Sequence, residues 1–235
     1  MITKHVPSIS FIIPTLNEAD YIEKALRSID IENSDIECLV VDGGSNDGTC
    51  AIVRQWPQIQ IISADQSGRG YQMNLGARSA TGDVFVFLHA DCIMPENALV
   101  DLRKVLKSDQ IVGGSFCLGF VRRHWLLQFS SFLSRINHPL TTYGDQAQFM
   151  RRDVFHNIQG FKEWPLMEDL EIQFRLKKKG RLVKIRRPVM SSDRRYQSPG
   201  PIFRQMLNVV LVGLFLVGVQ PARLARWYKS GPPTK

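Results

Sequence analysis

The loop at residues 42–49, DGGSNDGT, is the first place in the sequence where groups able to bind a ligand gather. Its glycines, Gly44 among them, allow tight turns, and its polar side chains could face a nucleotide base or ribose. A simple alternative is a capped turn, with Asp47 as the N-cap of the next helix. That alternative explains Asp47 alone, so we predict that Asp42 and the rest of the loop bind a ligand.

Three further carboxylates could act on a bound phosphate or on a hydroxyl group. Asp91 ends residues 88–91, LHAD, and offers the oxygen ligand that a hard divalent cation such as Mg²⁺ requires. Glu168 and Asp169 are adjacent at the start of a predicted helix, and either could accept the proton of an attacking hydroxyl. Each has a structural alternative, because Asp91 could cap a turn and the acidic pair could compensate a helix dipole.

Hydrophobic periodicity predicts the elements that must position these residues. Short runs rich in β-branched residues predict buried strands at 9–13, 38–41, 59–62 and 84–88. Amphipathic segments predict helices at 22–29, 49–55, 69–80 and 95–107, the last with Pro95 in its first turn. This alternation of strands and helices predicts an open, mainly parallel α/β sheet with helices on both faces.

In such a sheet, ligands bind just beyond the carboxyl ends of the strands. The loops to consider are therefore residues 14–18, 42–49, 64–70 and 89–92. Farther along the chain, the pattern predicts a strand at 111–120, an amphipathic segment at 125–133 and a helix at 168–179. We predict one domain at 1–198, with a nucleotide-binding half (about 1–110) and an acceptor half (about 111–198), followed by a helical segment at 199–235.

Polar residues near two glycine-containing turns are further candidates for a ligand site. Arg69, Gln72 and Asn74 follow glycine at a predicted helix start, where free backbone N–H groups attract phosphate or sugar oxygens. The alternative for these three is a solvated helix face. Asp145 lies in a Gly-Asp-Gln turn and could hydrogen-bond a sugar, although a local Asx turn is equally simple.

The net charge of +8 favours an anionic partner, and much of the excess lies in the C-terminal part, including Lys184, Arg187 and Arg194. These basic residues could equally form a solvated face. No aromatic-interleaved motif of an RNA-binding module accompanies them, so we predict no nucleic-acid partner. The four cysteines form no CxxC pair, and the first fifteen residues do not resemble a signal peptide. We therefore expect a reduced, cytoplasmic protein.

The C-terminal segment contains an apolar run at residues 206–219, in which only Asn208 is strongly polar. These fourteen residues reach roughly 21 Å as a helix, short of the ~30 Å hydrocarbon core of a bilayer. The basic and aromatic residues Arg223, Arg226, Trp227 and Lys229 follow, as in a peripheral anchor on an anionic membrane surface. The alternative is a buried helix packed on the rest of the chain or on a dimer partner.

Several motifs occur together in the order typical of a known family. Residues 14–18 (PTLNE), 42–49, 89–91 (HAD) and 168–169 (ED) resemble family 2 glycosyltransferases of the GT-A fold. A closer resemblance, to the radical-SAM/selenodomain-associated glycosyltransferases, rests on residues 68–74 (GRGYQMN), 143–146 (YGDQ) and 166–169 (LMED). The resemblance covers nearly the whole chain and implies a GT-A-type sheet, to which the C-terminal apolar helix is an appendage.

The resemblance implies an inverting enzyme that moves a sugar from a nucleotide diphosphate sugar, with a UDP-sugar favoured, to an acceptor hydroxyl. By the same resemblance, Pro14, Thr15 and Glu18 line the nucleoside pocket and Asp42 contacts the base. Asp91 is implied to hold Mg²⁺ or Mn²⁺ on the diphosphate. A lipid-linked molecule is one candidate acceptor.

Asp169, with Glu168 beside it, matches the general base of the family. The chain departs from the family at its usual aspartate-any-aspartate motif, which here reads His89, Ala90 and Asp91. The imidazole of His89 could still bind the metal, or it could be satisfied by local hydrogen bonds.

Two other classes of protein are weaker interpretations. A dinucleotide-dependent oxidoreductase requires a GxGxxG turn after the first strand, where this chain has residues 14–17, PTLN. A non-catalytic, membrane-associated scaffold that binds nucleotide sugar predicts loss of the metal and base carboxylates, yet Asp91, Glu168 and Asp169 are all present.

Overall fold

The computed structural model describes residues 6–121, 124–192, 194 and 200–229. Its strands are β1 (Ile9–Thr15), β2 (Ile36–Asp42), β3 (Gln60–Ser63), β4 (Val84–Phe87), β5 (Cys92–Ile93), β6 (Ile111–Phe120), β7 (Gln148–Arg151) and β8 (Arg181–Ser191). Its α-helices are α1 (Ile22–Arg27), α2 (Thr49–Val53), α3 (Arg69–Ser79), α4 (Ala98–Leu106), α5 (Trp125–Leu133), α6 (Arg152–Asn157), α7 (Glu168–Lys177), α8 (Pro201–Leu216) and α9 (Pro221–Lys229). Two 3₁₀ turns lie at Pro139–Thr141 and Gly144–Gln146.

The strands form a single sheet in the order β3-β2-β1-β4-β7-β6-β8-β5. As predicted, β1 pairs in parallel with β2 and β4, and β2 pairs in parallel with β3. The short strand β7 runs antiparallel to both β4 and β6, whereas β8 runs parallel to β6. Strand β7 therefore connects the predicted nucleotide-binding half to the second half within one sheet.

Helices cover both faces of this sheet, as the sequence predicts. On one face, Ile22 and Leu26 of α1 and Leu102 of α4 are fully buried in one apolar cluster. On the other face, Met73 of α3 and Leu176 of α7 belong to a second cluster. Burial on both sides explains why the strands are continuous apolar runs instead of alternating patterns.

The prediction that Pro95 lies in the first turn of a helix is wrong. Helix α4 begins at Ala98, and its N-cap residue, Asn97, adopts a left-handed conformation with φ of 59°. Pro95 lies in the preceding turn, where its carbonyl oxygen accepts a hydrogen bond from the Ala98 N–H at 3.2 Å. Asparagine tolerates left-handed φ better than most residues, so the helix starts after it.

The C-terminal helices α8 and α9 pack on the rest of the chain through one of their sides. Leu211 and Leu224 are buried in a cluster with Met167 and Leu170, next to the start of α7. Helix α8 begins before the apolar run and ends before its last residues, where Gly218 turns the chain with φ of 91°. In the part of the chain that is described, no helix is both long and apolar enough to cross a membrane.

Candidate active site

The loops after β1 and β2 are held together by hydrogen bonds. The backbone N–H of Glu18 donates to Thr49 Oγ1 at 2.8 Å, and that of Ala19 donates to Asp47 Oδ2 at 3.0 Å. The N-cap of α2 is Gly48, with φ of 90°, and not Asp47. Asp47 Oδ1 nevertheless accepts from the Thr49 N–H at 3.0 Å, so Asp47 both caps the turn and connects the two loops.

Asp42 lies at the end of β2, beside the end of β1. Its Oδ2 atom accepts hydrogen bonds from the backbone N–H groups of Gly44 (3.1 Å) and Ser45 (2.9 Å). Burial acts to raise the pKa of Asp42, but hydrogen bonds from Ser45 and Gly44 outweigh it and hold the pKa below its ordinary value. Thr15 and Pro14 are buried next to it at the end of β1. Asp42 is therefore a charged, fixed acceptor at the predicted nucleoside pocket.

Gln72 and Asn74 hold backbone segments in place. The Gln72 amide donates to the carbonyl oxygens of Thr15 and Val41, both at 2.8 Å, and so fixes the ends of β1 and β2. The Asn74 amide group donates to the Phe161 carbonyl (2.9 Å) and accepts from the Phe161 N–H (2.8 Å). The alternative of a solvated face does not hold for Gln72, which is buried. Direct contact of either side chain with a donor stays a prediction.

His89, Asp91 and Cys92 form a cluster that could hold a metal ion. One potential ligand atom from each of the three residues lies within 4.8 Å of the others. Ala90, between them, is buried in the same turn after β4. Carboxylate and imidazole are ligands that Mn²⁺ accepts, and the remaining positions around such an ion would fall to diphosphate oxygens and water. The residues present therefore fit a divalent cation, despite the replacement of the usual first aspartate.

Arg194 lies in this cluster, which the sequence did not indicate. Its guanidinium forms an ion pair with Glu18 and approaches Asp91 Oδ2 at 3.3 Å. It also stacks on Tyr21, with the guanidinium carbon 4.7 Å from the ring centroid. A lone arginine in a basic stretch carries no sequence signal for this placement, because its acidic partners lie more than a hundred residues away. The interpretation of Arg194 as part of a solvated basic face is wrong.

The two adjacent acids at the start of α7 have different surroundings. Glu168 is fully buried and forms an ion pair with Arg69, from Oε1 to Nε at 3.0 Å. The negative charge of Glu168 raises the pKa of Arg69 above its ordinary value. Asp169 Oδ2 accepts from the Gly144 N–H at 2.7 Å, Oδ1 accepts from the Leu170 N–H at 2.8 Å, and the side chain lines a cavity.

Gly144 and Asp145 belong to the 3₁₀ turn above this pair. A Cβ atom at position 144 would lie 2.7 Å from His89 Nε2 and 3.2 Å from Asp169 Oδ2, so glycine lets the two side chains approach each other. Asp145 lines the same cavity as Asp91 and Asp169. The turn thus brings the predicted sugar-binding, metal-binding and base residues to one place.

Lys184 supports this turn from below. Its ammonium group donates to Ser115 Oγ (2.6 Å), Gln146 Oε1 (2.7 Å) and Thr142 Oγ1 (2.9 Å). Burial lowers the pKa of Lys184 to about 8. Lys184 is therefore a buried structural cation and not part of a solvated face. Arg187 is exposed, in agreement with a solvated face, and forms a surface ion pair with Asp101 of α4.

A cavity of about 240 Å³ connects these groups. Its polar end contains Arg69, His89, Asp91, Asp145 and Asp169. Its apolar wall residues come from β6, α5, the first 3₁₀ turn, the segment before α7, and α8: Leu118, Leu133, Leu140, Leu166, Leu211 and Val212. Polar side chains of α8, including Asn208, line the cavity beside them. The sequence did not indicate the contribution of α5 and α8, because both are amphipathic helices without motifs.

A comparison with protein families identifies the chain. The family model "Glycosyl transferase family 2" matches residues 10–159, which is more than half of the chain. The chain belongs to glycosyltransferase family 2. The match runs from β1 to just after α6 and includes the cluster around Asp91.

Individual relatives and solved structures agree with this family. A curated relative from Methanococcus voltae, dolichyl N-acetyl-alpha-D-glucosaminyl phosphate 3-beta-D-2,3-diacetamido-2,3-dideoxy-beta-D-glucuronosyltransferase, is 33% identical over 182 residues, 71% of this chain and 56% of the relative. In three other curated glycosyltransferases that match this chain, the matched region also spans less than two thirds of the relative's own length.

Two solved structures show the same fold. One is the mannosyltransferase PcManGT from Pyrobaculum calidifontis, solved with GDP-Man and Mn²⁺, which matches with a TM-score of 0.65 at 21% identity. The matched region includes 93% of this chain and 67% of the PcManGT chain. The other is S. aureus TarS 1-349, solved with UDP, which matches with a TM-score of 0.65 at 17% identity. The matched region includes 92% of this chain and 68% of the TarS chain. The open α/β sheet described above is therefore a GT-A fold.

Proposed function

We propose that the chain is an inverting glycosyltransferase that transfers a sugar from a nucleotide diphosphate sugar to an acceptor hydroxyl. The observation that carries this proposal is the meeting of Asp91, His89, Asp145 and Asp169 at one end of a single cavity, at the carboxyl ends of the sheet strands. These residues come from three separate motifs of the sequence, at 89–91, 143–146 and 166–169. Their convergence favours catalysis over a non-catalytic scaffold.

The donor is proposed to bind along the joined loops after β1 and β2. Pro14, Thr15 and Glu18 would surround the nucleoside and Asp42 would accept from the base, with Gly44 and Asp47 shaping the loop. A nucleotide diphosphate donor is supported by the TarS and PcManGT structures, which contain UDP and GDP-Man. We favour a UDP-sugar, with Arg69 and Asp145 near the transferred sugar.

Asp91 and His89 are proposed to hold Mg²⁺ or Mn²⁺. A cation bound there would neutralise negative charge on the leaving diphosphate. Arg194 contacts Asp91 and Glu18, so it balances the negative charge of the cluster from the protein side.

Asp169 is the better candidate for the general base. It lines the cavity, and its two hydrogen bonds from backbone N–H groups orient the carboxylate toward an incoming hydroxyl. Glu168 is buried and paired with Arg69, so we assign it a positioning role. A base on the face opposite the leaving diphosphate gives inversion at the anomeric carbon.

The acceptor is proposed to be a hydroxyl compound with an apolar body, such as a lipid-linked sugar. The leucines and the valine of the cavity wall support this class of acceptor, because they could bury its apolar body while the polar lining contacts its hydroxyl end. The name of the Methanococcus voltae relative also describes transfer to a dolichyl-linked sugar phosphate.

The motifs behind the closer resemblance meet around Asp169. Arg69 of residues 68–74 pairs with Glu168, and Gly144 of residues 143–146 binds Asp169. Their joint contact supports membership in the radical-SAM/selenodomain-associated subgroup. We further propose that 1–198 form the catalytic domain and 199–235 a helical segment that completes its acceptor side.

Thermal unfolding with a panel of nucleotides tests the donor and metal proposals. UDP with Mn²⁺ should raise the melting temperature, because a ligand bound only by the native state stabilises it. UDP with a chelator should raise it much less, and Asp91→Asn should remove the metal-dependent part. Equal shifts with and without metal, in both proteins, would contradict the metal site.

Turnover distinguishes the enzyme from the scaffold. Purified protein incubated with the stabilising nucleotide sugar and Mn²⁺ should release free UDP slowly by hydrolysis and faster with an apolar alcohol acceptor. Donor binding without release of UDP under either condition would favour the scaffold.

A further inference from the structure

Helices α5 and α8 pack against each other and together border the acceptor end of the cavity. From α5, Ser130 and Leu133 line the cavity, and from α8, Asn208, Leu211 and Val212 do so. The outer side of each helix, which faces away from the cavity, therefore lies next to the cavity rim.

Those outer sides are apolar and exposed. On α5 and the turn after it, Trp125, Phe129, Phe132 and Ile136 follow a spacing of four, three and four residues, which is one face of a helix. On α8 and directly after it, a matching stripe is exposed: Ile202, Phe203, Met206, Val210, Leu216 and Val217. We name these residues, together with Trp227 of α9, the rim surface. Large exposed apolar patches of this kind mark interaction sites.

The segments that carry the rim surface have charged residues of one sign only. The chain has no aspartate or glutamate between residues 110 and 144, which include α5, and none between 194 and 235, which include α8 and α9. Of the basic residues in these stretches, Arg135, Arg223 and Arg226 are exposed. Apolar aromatic side chains flanked only by positive charge are complementary to an anionic lipid surface.

We propose that the rim surface docks on an anionic lipid bilayer, so that an apolar acceptor enters the cavity from the membrane between α5 and α8. The route of the acceptor rests on the proposed glycosyl transfer, whereas the docking itself does not. A second copy of the chain is a poorer occupant, because pairing two rim surfaces would bring exposed arginines of like charge together. Insertion is shallow, since none of the described helices can cross the membrane.

Vesicle co-sedimentation of the full chain tests the docking. We expect binding to phosphatidylglycerol vesicles and much weaker binding to phosphatidylcholine vesicles, with the anionic component decreasing as salt rises. Phe129→Ser/Phe132→Ser on α5 and Met206→Ser/Val210→Ser on α8 should each weaken binding by at least about tenfold, since each removes two large exposed apolar groups. Val100→Ser, a similarly exposed apolar site on α4, is the matched control and should bind like the parent chain.

Several results would overturn the docking proposal. One is no binding to anionic vesicles, and another is binding unaffected by the α5 pair, which would leave the C-terminal helices as the sole anchor. A dimer in sedimentation velocity that the same variants dissociate, without vesicle binding, would assign the surface to a second copy. The variants should keep the thermal shift with UDP and Mn²⁺. If the parent chain showed no thermal shift with UDP and Mn²⁺, the proposed function would be refuted, whereas the vesicle result would still support docking.

Discussion

At the scale of single residues, the environment of Arg194 is the feature that most changes the view of the metal cluster. The guanidinium contacts Asp91, the proposed metal ligand, and Glu18, in the proposed nucleoside pocket. A divalent cation bound at the proposed site would therefore compete with Arg194 for the carboxylate of Asp91. Binding of metal has to weaken the contact between Arg194 and Asp91.

Arg194→Ala should therefore bind Mn²⁺ more tightly than the parent chain in the absence of nucleotide. We expect about a tenfold lower Kd, corresponding to the ~1.4 kcal/mol of a charge-assisted hydrogen bond that the ion no longer has to replace. Titration calorimetry with Mn²⁺ measures the change. Arg187→Ala, which loses a surface pair with Asp101, is the control and should not alter the Kd. Weaker Mn²⁺ binding by the Arg194 variant would contradict competition.

Asp169→Asn and Glu168→Gln should separate the two roles at the start of α7. Asp169→Asn should lower turnover by about 10²-fold while keeping the thermal shift with UDP, as for loss of a positioned base. Glu168→Gln should mainly lower the free energy of unfolding, by about 2 kcal/mol, because Arg69 loses its charged partner. Steady-state release of UDP and chemical unfolding measure these effects. A larger loss of turnover in the glutamine variant, with unchanged stability, would reverse the assignment.

At the scale of elements, β8 supports the 3₁₀ turn that carries Asp145 through Lys184. Its ammonium group donates to three neutral oxygen atoms, and no carboxylate of the described residues is hydrogen-bonded to it. The positive charge of Lys184 is therefore costly at this buried position, which agrees with the lowering of the Lys184 pKa to about 8 from 10.5. The proton is held less tightly in the folded state than in the unfolded state.

This shift predicts how stability depends on pH. Below pH 8 both states are protonated and the full cost of burying the charge is present. Between pH 8 and 10.5 the folded state has released the proton while the unfolded chain still holds it, so the contribution of Lys184 to stability rises by up to about 3 kcal/mol. The difference in unfolding free energy between the parent chain and Lys184→Met, measured by urea titration at several pH values, should grow in favour of the parent chain over this range. A flat difference would contradict the buried cation.

At the scale of the whole molecule, the sheet and the C-terminal helices complete one site. The motifs lie at the carboxyl ends of the strands, but Leu211 of α8 and Leu224 of α9 bury Met167 and Leu170 beside Asp169. The outer side of α8 remains exposed at the rim of the cavity. From the sequence, this helix could be either buried or a membrane anchor. The buried side of α8 fits the first alternative, and its exposed side is compatible with the second.

Leu211→Ala should lower the free energy of unfolding by about 2–5 kcal/mol, the usual cost of a buried leucine. Leu216→Ala, on the same helix but half exposed, should cost much less. Chemical denaturation of both variants gives the comparison. Equal small losses would mean that α8 is not part of the core, and the proposed acceptor wall would have to be abandoned.

The sequence alone determined the half of the protein where local patterns and chemistry coincide. Apolar runs and stripes predicted β1 to β4 and their helices. Motifs at the strand ends predicted Asp42 and Asp91, because parallel strands bring their carboxyl ends to one edge, and the acidic pair at a helix start predicted Asp169. Only the tertiary structure decided the partners of Glu18 and Glu168, the burial of Lys184 and the second face of α8. Each of these features depends on contacts between residues far apart in the chain. The local sequence around an arginine, a lysine or an amphipathic helix is the same whether that group contacts solvent, a carboxylate or an apolar core.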